Sequence, residues 1–385
     1  MTDLASLRPP FTASPLRVWA VEDTTAQITW GDLPTGEITA VARNAQRAEV
    51  TVVATHHGGP GSLLVQDLVP STAYQLDLAV ADDTRQLSFK TLASPAGPLL
   101  SRVATISDLH LGAERWGFLK TMVESNEHSE PHPLRCARAS ITEAIEWGAQ
   151  LLVIKGDAAH HRHPDNFALL GSLVDDFPDL PMLLIPGNHD VDYSHSLVEL
   201  PDTVGARQLP YVQSVDHVDV PGARVLVANS TINGRGEGTL APVADSLVAA
   251  ATESATPVLL AIHHHLHRHP IPTYWPPGIP KDEAQPFLNQ LAVANQRTLL
   301  TSGHSHRNRS RRQAGLTITE VASTRDWPGV WAGYAIHEGG IRQVVRRAAA
   351  PDAVIWHEYS RGALLGLWDF WSPGPLDQRC FSLDW

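Results

Sequence analysis

Between residues 15 and 93, short runs of alternating apolar and polar residues are separated by turn-forming residues. Seven such runs at this spacing are typical of the strands of a β-sandwich. The segment around Tyr74 fits a tyrosine corner, and Trp30 fits a core aromatic on an early strand. We therefore expect a small all-β domain here, after an N-terminal extension at 1–14. The predicted strands are 16–22, 26–30, 37–42, 49–55, 62–68, 73–80 and 86–91.

Beyond a Pro- and Gly-rich linker at 94–99, the runs become continuously apolar. Helical stretches such as 135–147 and 166–176 lie between several of them. Apolar strands that alternate with helices predict an α/β fold whose sheets are buried on both faces. We expect this domain to span 100–345, with a Trp-rich segment at 346–385 packing on it. The predicted strands are 103–106, 151–154, 182–185, 225–228 and 258–262.

Length and composition limit the classes of partner. A chain of 385 residues predicts two domains, and a net charge of −12 argues against a general binder of nucleic acid or acidic membranes. The chain shows neither a secretory signal nor an apolar run of 18 residues. We therefore expect a cytoplasmic protein that does not enter membranes, with Cys136 and Cys380 as small buried residues. Homo-oligomerisation stays open.

Residue types that bind metals follow nearly every apolar strand of the second region. Ligands in open α/β sheets bind beyond the carboxyl ends of strands, so five such ends would bring these side chains to one site. In an extended segment, residues i and i+2 point to the same side, so Asp108 with His110 and His304 with His306 could each direct two ligands into one cavity. Any one of these segments could be an ordinary loop, but five in this order are hard to explain by chance. The segments are Ser107-Asp108-Leu109-His110, Gly156-Asp157, Gly187-Asn188-His189-Asp190, His263-His264-His265 and Gly303-His304-Ser305-His306.

This series of motifs resembles that of the calcineurin-like metallophosphoesterases over roughly residues 100–345. The resemblance implies a two-sheet αββα sandwich as the fold of this region. The preceding β-sandwich resembles a fibronectin type III domain, and the pairing is similar to that of purple acid phosphatases. The Asp-Leu-His-Leu sequence that begins at Asp108 looks more like bacterial cyclic-nucleotide phosphodiesterases.

The resemblance also implies a ligand set for two metal ions. One ion would be bound by Asp108, His110, Asp157 and His306. The second ion would be bound by Asp157, Asn188, His263 and His304. Mixed carboxylate, amide and imidazole ligands suit manganese, iron or zinc better than calcium. His263 is preferred to His264 because it directly follows its strand.

Further residues are candidates for contact with the substrate. The resemblance implies that His189 faces the substrate, where it would stabilise charge or protonate the leaving oxygen. Asp190 either orients His189 or stabilises a turn. His160, His161 and His264 are candidates for the substrate pocket. A group of arginines either collects an anionic substrate or forms the solvated face of a strand; it comprises Arg307, Arg309, Arg311 and Arg312.

The implied activity is hydrolysis of a small phosphate ester by a metal-bound hydroxide. A phosphodiesterase on small or cyclic-nucleotide-like substrates is our first hypothesis. Three alternatives stay open: a phosphomonoesterase, a nuclease, and a non-catalytic binding scaffold. The acidic net charge disfavours the nuclease, and the complete set of ligand residues speaks against the scaffold.

Overall fold

The computed structural model describes residues 14–117, 121–124, 130–191, 198–271 and 275–385. The predicted N-terminal extension lies outside the described residues except for Ser14. No helix in these ranges is both long and apolar enough to cross a membrane.

The N-terminal domain is the predicted β-sandwich. A three-stranded sheet, β1-β2-β5, faces a four-stranded sheet, β4-β3-β6-β7. The tyrosine corner is formed, since the backbone N–H of Val69 donates to the hydroxyl of Tyr74 at 2.9 Å. Trp30 is buried in the core, as predicted. The strands are β1 (Arg17–Val21), β2 (Ala26–Leu33), β3 (Gly36–Asn44), β4 (Glu49–His56), β5 (Gly59–Val65), β6 (Ala73–Val80) and β7 (Asp83–Lys90).

The second region contains two six-stranded mixed sheets packed face to face, with helices outside, which confirms the predicted sandwich. Its strands are β8 (Leu99–Ile106), β9 (Arg115–Trp116), β10 (Met122–Val123), β11 (Leu151–Lys155), β12 (Met182–Ile185), β13 (Thr203–Val204), β14 (Leu209–Pro210), β15 (Val215–Val220), β16 (Ala223–Ala228), β17 (Val258–Ile262), β18 (Thr298–Ser302), β19 (Arg309–Gln313), β20 (Leu316–Glu320), β21 (Val330–His337), β22 (Gly340–Arg347) and β23 (Phe381–Asp384). Its helices are α1 (His132–Glu146), α2 (Pro164–Asp175), α3 (Ala244–Thr252), α4 (Lys281–Ala294), α5 (Pro351–Ser360), α6 (Leu367–Trp371) and α7 (Leu376–Arg379), and a 3₁₀ turn spans Ala363–Gly366.

Strand order explains why the five motifs meet. The first sheet runs β12-β11-β8-β21-β22-β23, and β8, β11 and β12 are parallel. The second runs β15-β16-β17-β18-β20-β19, and β16, β17, β18 and β20 are parallel. Parallel strands end at one edge of a sheet, so the loops after β8, β11, β12, β17 and β18 can converge.

The continuous apolar runs are explained by burial on both faces. In β16, Val225 and Val227 join the core cluster between the two sheets. Leu226 and Ala228 join a second cluster with residues of α3 and α4. A strand between a sheet and a helix layer has no polar face, as expected of parallel sheets.

The β-sandwich packs firmly on the second region. Glu22, at the end of β1, is buried beside two arginines of β22, Arg342 and Arg346. It also accepts a hydrogen bond from Trp147 Nε1 at 3.1 Å.

The C-terminal segment is part of the same body, because β23 pairs with β22 at the edge of the first sheet. Both cysteines are buried and unpaired, as expected.

Replacing Glu22 by Gln should lower the free energy of unfolding by about 3 kcal/mol, because the buried Arg346 loses its carboxylate and Arg342 keeps only Asp23. Burial acts to raise the pKa of Glu22, but Arg346 and Arg342 outweigh it and hold that pKa below its ordinary value of 4.5. The stabilisation is therefore present above pH 4.5 and is lost as pH falls through the lower folded-state pKa. Urea unfolding at pH 7 and pH 4 measures both effects.

Glu49→Gln is the matched control, because its partner Arg43 lies in the same domain and both side chains are nearly half exposed. That change should cost less than about 1 kcal/mol. Equal losses for the two variants would contradict the assigned role of Glu22.

Candidate metal centre and active-site cavity

Four donors form a first group between the loops that follow β8, β11 and β18. His306 Nε2 lies 3.3 Å from Asp108 Oδ1 and 3.3 Å from His110 Nε2. His110 Nε2 lies 3.7 Å from Asp157 Oδ2. All four side chains are buried.

A second group meets the first at Asp157. Its other oxygen, Oδ1, lies 3.5 Å from His263 Nε2, which in turn lies 3.2 Å from Asn188 Oδ1. The ring of His304 packs edge-on against His263, with centroids 5.0 Å apart. His304 Nε2 hydrogen bonds with the carbonyl oxygen of Pro277 at 3.0 Å, which leaves Nδ1 as its nitrogen for a cation. Asp157 thus offers one oxygen to each group.

These spacings fit metal coordination. Ligands at about 2.0–2.2 Å from a tetrahedral or octahedral ion lie roughly 3–3.6 Å from one another. Four of the five donor separations, at 3.2–3.5 Å, lie within this range, and the fifth, 3.7 Å between His110 Nε2 and Asp157 Oδ2, lies just above it. The seven residues predicted as ligands therefore lie where two neighbouring cations could be bound.

The backbone conformation differs from the predicted one. Five ligand residues have positive φ: 57° at Asp108, 47° at His110, 49° at Asp157, 66° at His304 and 51° at His306. The prediction that Asp108 with His110 and His304 with His306 lie in extended segments is therefore wrong. Left-handed residues other than glycine are uncommon and cluster at functional sites, where the surrounding structure holds them.

Two glycines allow the loops to approach each other. A Cβ at Gly303 would lie 1.8 Å from Ser107 Oγ and 2.7 Å from Asp108 Oδ2. A Cβ at Gly187 would lie 2.3 Å from both the backbone nitrogen and Oδ1 of Asp157. Neither position can accept a side chain while the donors keep their places.

The two carboxylates attract positive charge. Burial opposes ionisation of Asp108, but His306 and His263 outweigh it and hold the pKa of Asp108 at about 2. Burial disfavours a charged His306, yet Asp326 and Asp108 raise its pKa to about 10. In the same way Asp157 and Asp108 raise the pKa of His263 to about 9. A pair of cations would balance the negative charge of Asp108 and Asp157 more completely than protonation of the His263 and His306 rings does.

Hydrogen bonds behind the donors fix two of the histidine rings. His263 Nδ1 lies 2.7 Å from the carbonyl oxygen of Lys155. His306 Nδ1 lies 3.1 Å from Oδ2 of the fully buried Asp326. A carboxylate or carbonyl behind a histidine ligand sets its tautomer and raises its basicity. Sequence reasoning missed Asp326, because no spacing or motif links it to His306 before the loop after β20 is folded.

Comparison with known proteins agrees with this geometry. The family model for the calcineurin-like phosphoesterases matches residues 101–308, which is more than half of the chain. The chain belongs to the calcineurin-like phosphoesterase family. Members of this family are metal-dependent phosphoester hydrolases, and the paired donor groups are consistent with that class.

Curated relatives of this phosphoesterase are distant. It is 25% identical over 243 residues to a "Probable cyclic nucleotide phosphodiesterase" of Psychrobacter arcticus, covering 61% of this chain and 83% of the relative. It is also 25% identical over 213 residues to another such protein from Psychrobacter sp., covering 50% of this chain and 58% of that one. A purple acid phosphatase from yellow lupin superposes with a TM-score of 0.46 at 13% identity, covering 87% of this chain and 71% of that chain.

His189 lies beside the two donor groups, on the side that faces the cavity. Its Nδ1 lies 2.8 Å from the carbonyl oxygen of His160, which directs Nε2 away from that backbone. Its ring packs edge-on against His110, with centroids 4.6 Å apart, and stacks on His160. His189 also lines the cavity in front of the donors, as the prediction requires.

The structure gives Asp190 a different role from that of orienting His189. Its carboxylate accepts hydrogen bonds from the backbone N–H groups of Gly187, Ala158 and Ala159 at 2.8–3.2 Å. These contacts tie the loop after β11 to the loop after β12. Burial and the charge of Asp157 raise the pKa of Asp190 to about 7. Asp190 is thus the turn-stabilising residue of the two roles considered.

A cavity of about 930 Å³ opens in front of the metal centre. Its outer wall is largely aromatic, with Trp116, Trp275, Trp368 and Trp371 from three different segments. Trp368 is buried and Trp116 is half-buried, whereas Trp371 and Trp275 are exposed, Trp275 to 79%. A cavity of this size and character suits a small organic molecule.

The predicted pocket histidines separate into two groups. His160 lines the cavity, and its Nδ1 lies 3.5 Å from His110 Nδ1. His161 packs against His160, with ring centroids 4.1 Å apart. His264 is fully buried and contacts Ser230 Oγ at 2.9 Å, behind the centre. His264 does not line the cavity, and its nitrogens lie close enough to those of His263 and His304 to share a cation. The structure therefore places His264 with the candidate metal donors rather than in the predicted substrate pocket.

The arginines after the last motif also separate. Arg307 and Arg309 line the cavity, and Arg307 packs over the rings of Trp368 and Trp371. Arg311 instead pairs with Glu320 and donates to the carbonyl oxygen of Leu266. Arg312 donates to a turn carbonyl at the surface. Arg307 and Arg309 therefore lie where an anionic substrate could be bound, whereas Arg311 and Arg312 do not line the cavity.

Replacing Asp326 by Asn should weaken metal binding about 10- to 100-fold, because the neutral amide supports the basicity of His306 less well. Competition with a chelator, read by metal analysis of the protein, measures this change. Asp245→Asn, at an exposed position on α3, is the control and should leave metal binding unchanged. Equal affinities for the two variants would show that Asp326 does not support His306.

Proposed function

We propose that this phosphoesterase is a two-cation phosphodiesterase that hydrolyses a small organic diester, such as a cyclic nucleotide. One observation carries the proposal: the two oxygens of Asp157 face two separate groups of donors, 3.7 Å from His110 and 3.5 Å from His263. A carboxylate in this position suits two neighbouring cations better than one. Manganese, iron or zinc would suit the mixed ligands.

Two cations held by these donors would supply hydroxide near neutral pH and would offset the negative charge of the phosphoryl oxygens. The chain's own residues would supply the rest. A protonated His189 would donate from Nε2 to the leaving oxygen, since Nδ1 is engaged by the carbonyl oxygen of His160. The stacked ring of His160 would hold His189 in that orientation.

Cavity shape and the named relatives favour a diester with an organic group. The aromatic wall gives a planar or apolar group a surface on which to pack. Arg307 and Arg309 add positive charge at the same wall, which suits an anionic ester. Two relatives carry the name probable cyclic nucleotide phosphodiesterase, and this supports the same substrate class.

A substrate panel tests the proposed specificity. Manganese-loaded protein should hydrolyse bis(p-nitrophenyl) phosphate and 3′,5′-cyclic AMP with higher kcat/KM than p-nitrophenyl phosphate. A clear preference for the monoester would make the chain a phosphomonoesterase instead. Efficient cleavage of DNA or RNA would favour the nuclease alternative.

His189→Ala should lower kcat for bis(p-nitrophenyl) phosphate about 10²- to 10⁴-fold, because the leaving oxygen loses its proton donor. Metal content should stay at the level of the unmodified protein. His217→Ala, at an exposed position on β15, is the control and should leave kcat unchanged. Unchanged hydrolysis in His189→Ala would remove His189 from the mechanism.

A further inference from the structure

Arg325 is a buried cation in the wall of the active-site cavity. It lies in the loop between β20 and β21, and its side chain is 1% exposed. It lines the same cavity as His110, Asp157 and His189. A charged side chain that is so completely buried requires hydrogen-bond partners on every polar edge.

Among the described residues, the hydrogen-bond partners of the guanidinium lie along one of its edges. Nε and Nη2 contact Oδ1 of Asp326 at 3.3 and 3.2 Å. Nη1 has no hydrogen-bond partner among the residues that the structure describes. A buried donor left unsatisfied costs free energy, so Nη1 is the donor that a bound ligand would satisfy.

The guanidinium is also held in one orientation. Its Cζ lies 4.6 Å from the ring centroid of Trp116. The same indole is parallel to the ring of His306, 5.3 Å away, so Trp116 covers both Arg325 and His306, two of the partners of Asp326.

We propose that Arg325 donates from Nη1 to a phosphoryl oxygen of the bound ester and is therefore a catalytic residue outside the five motifs. This role rests on the proposed function. The ligand is an anionic phosphoryl group, because the donor carries a permanent charge and lies in the same cavity wall as the candidate ligands His110 and His306. The organic part of the ester would then extend towards the wall of Trp368 and Trp371.

The test compares Arg325→Lys and Arg325→Gln with the unmodified, manganese-loaded full chain. Calorimetric titration with inorganic phosphate measures binding, metal analysis measures occupancy, and bis(p-nitrophenyl) phosphate measures kcat and KM. We expect full metal content in both variants. Phosphate should bind about 10- to 100-fold more weakly, with a similar fall in kcat/KM, because one charge-assisted hydrogen bond is lost. Lys keeps a charge beside Asp326, so it preserves the fold if Gln does not.

Arg311→Lys is the matched control, since Arg311 also pairs with a buried carboxylate but does not line the cavity. It should change neither phosphate binding nor hydrolysis. Unchanged phosphate affinity in both Arg325 variants would overturn the proposal. Loss of metal together with phosphate affinity would also overturn it, because Arg325 would then act only by positioning Asp326. If the unmodified protein binds phosphate through Arg325 but hydrolyses no ester, the proposed function and the catalytic role fail, and Arg325 stands as a phosphate-binding residue only.

Discussion

The structure of the active site depends on the position of one carboxylate, that of Asp157. Its two oxygens face different histidines, so its placement determines whether one or two cations can be bound. The loop that carries it is held from both sides. The backbone N–H of His110 donates to the carbonyl oxygen of Asp157 at 2.8 Å, and that of His189 donates to its side chain at 2.8 Å. The loops after β8 and β12 therefore fix the loop after β11.

The domains outside the two-sheet core support this site rather than standing apart from it. The loop that carries Arg325 and Asp326 continues into Trp327, which is fully buried. Trp327 packs edge-on against Trp19 of the β-sandwich, with centroids 6.2 Å apart, and its backbone N–H donates to Ser360 Oγ of α5 at 2.8 Å. The β-sandwich and the C-terminal helices thus hold the residues that support His306.

Sequence alone predicted the fold, and the structure brings together the residues that the family resemblance proposed as ligands. Continuous apolar runs predicted the strands, because a strand buried on both faces has no polar position. The candidate ligands follow those strands directly. Backbone conformation at the ligands was not predictable in this way, because Asp108 and His304 adopt left-handed φ under tertiary constraint. The sequence left two roles open for Asp190, and only the folded contacts of its carboxylate with Gly187, Ala158 and Ala159 decide between them.

Arg325 and Asp326 could not be found from the sequence for a related reason. They belong to no motif, and their proximity to the donors arises only because β20 ends beside β18 in the second sheet. The same applies to the aromatic wall, where Trp116 and Trp368 come from segments about 250 residues apart. Long-range packing, rather than local pattern, created these parts of the site.

Anomalous diffraction from crystals of the manganese-loaded protein tests the central claim most directly. The structure predicts two peaks on either side of the Asp157 carboxylate, about 3.5–4 Å apart. One peak should lie against Asp108, His110 and His306, and the other against Asn188, His263 and His304. A single peak, or a pair of peaks away from Asp157, would contradict a centre built on a shared aspartate.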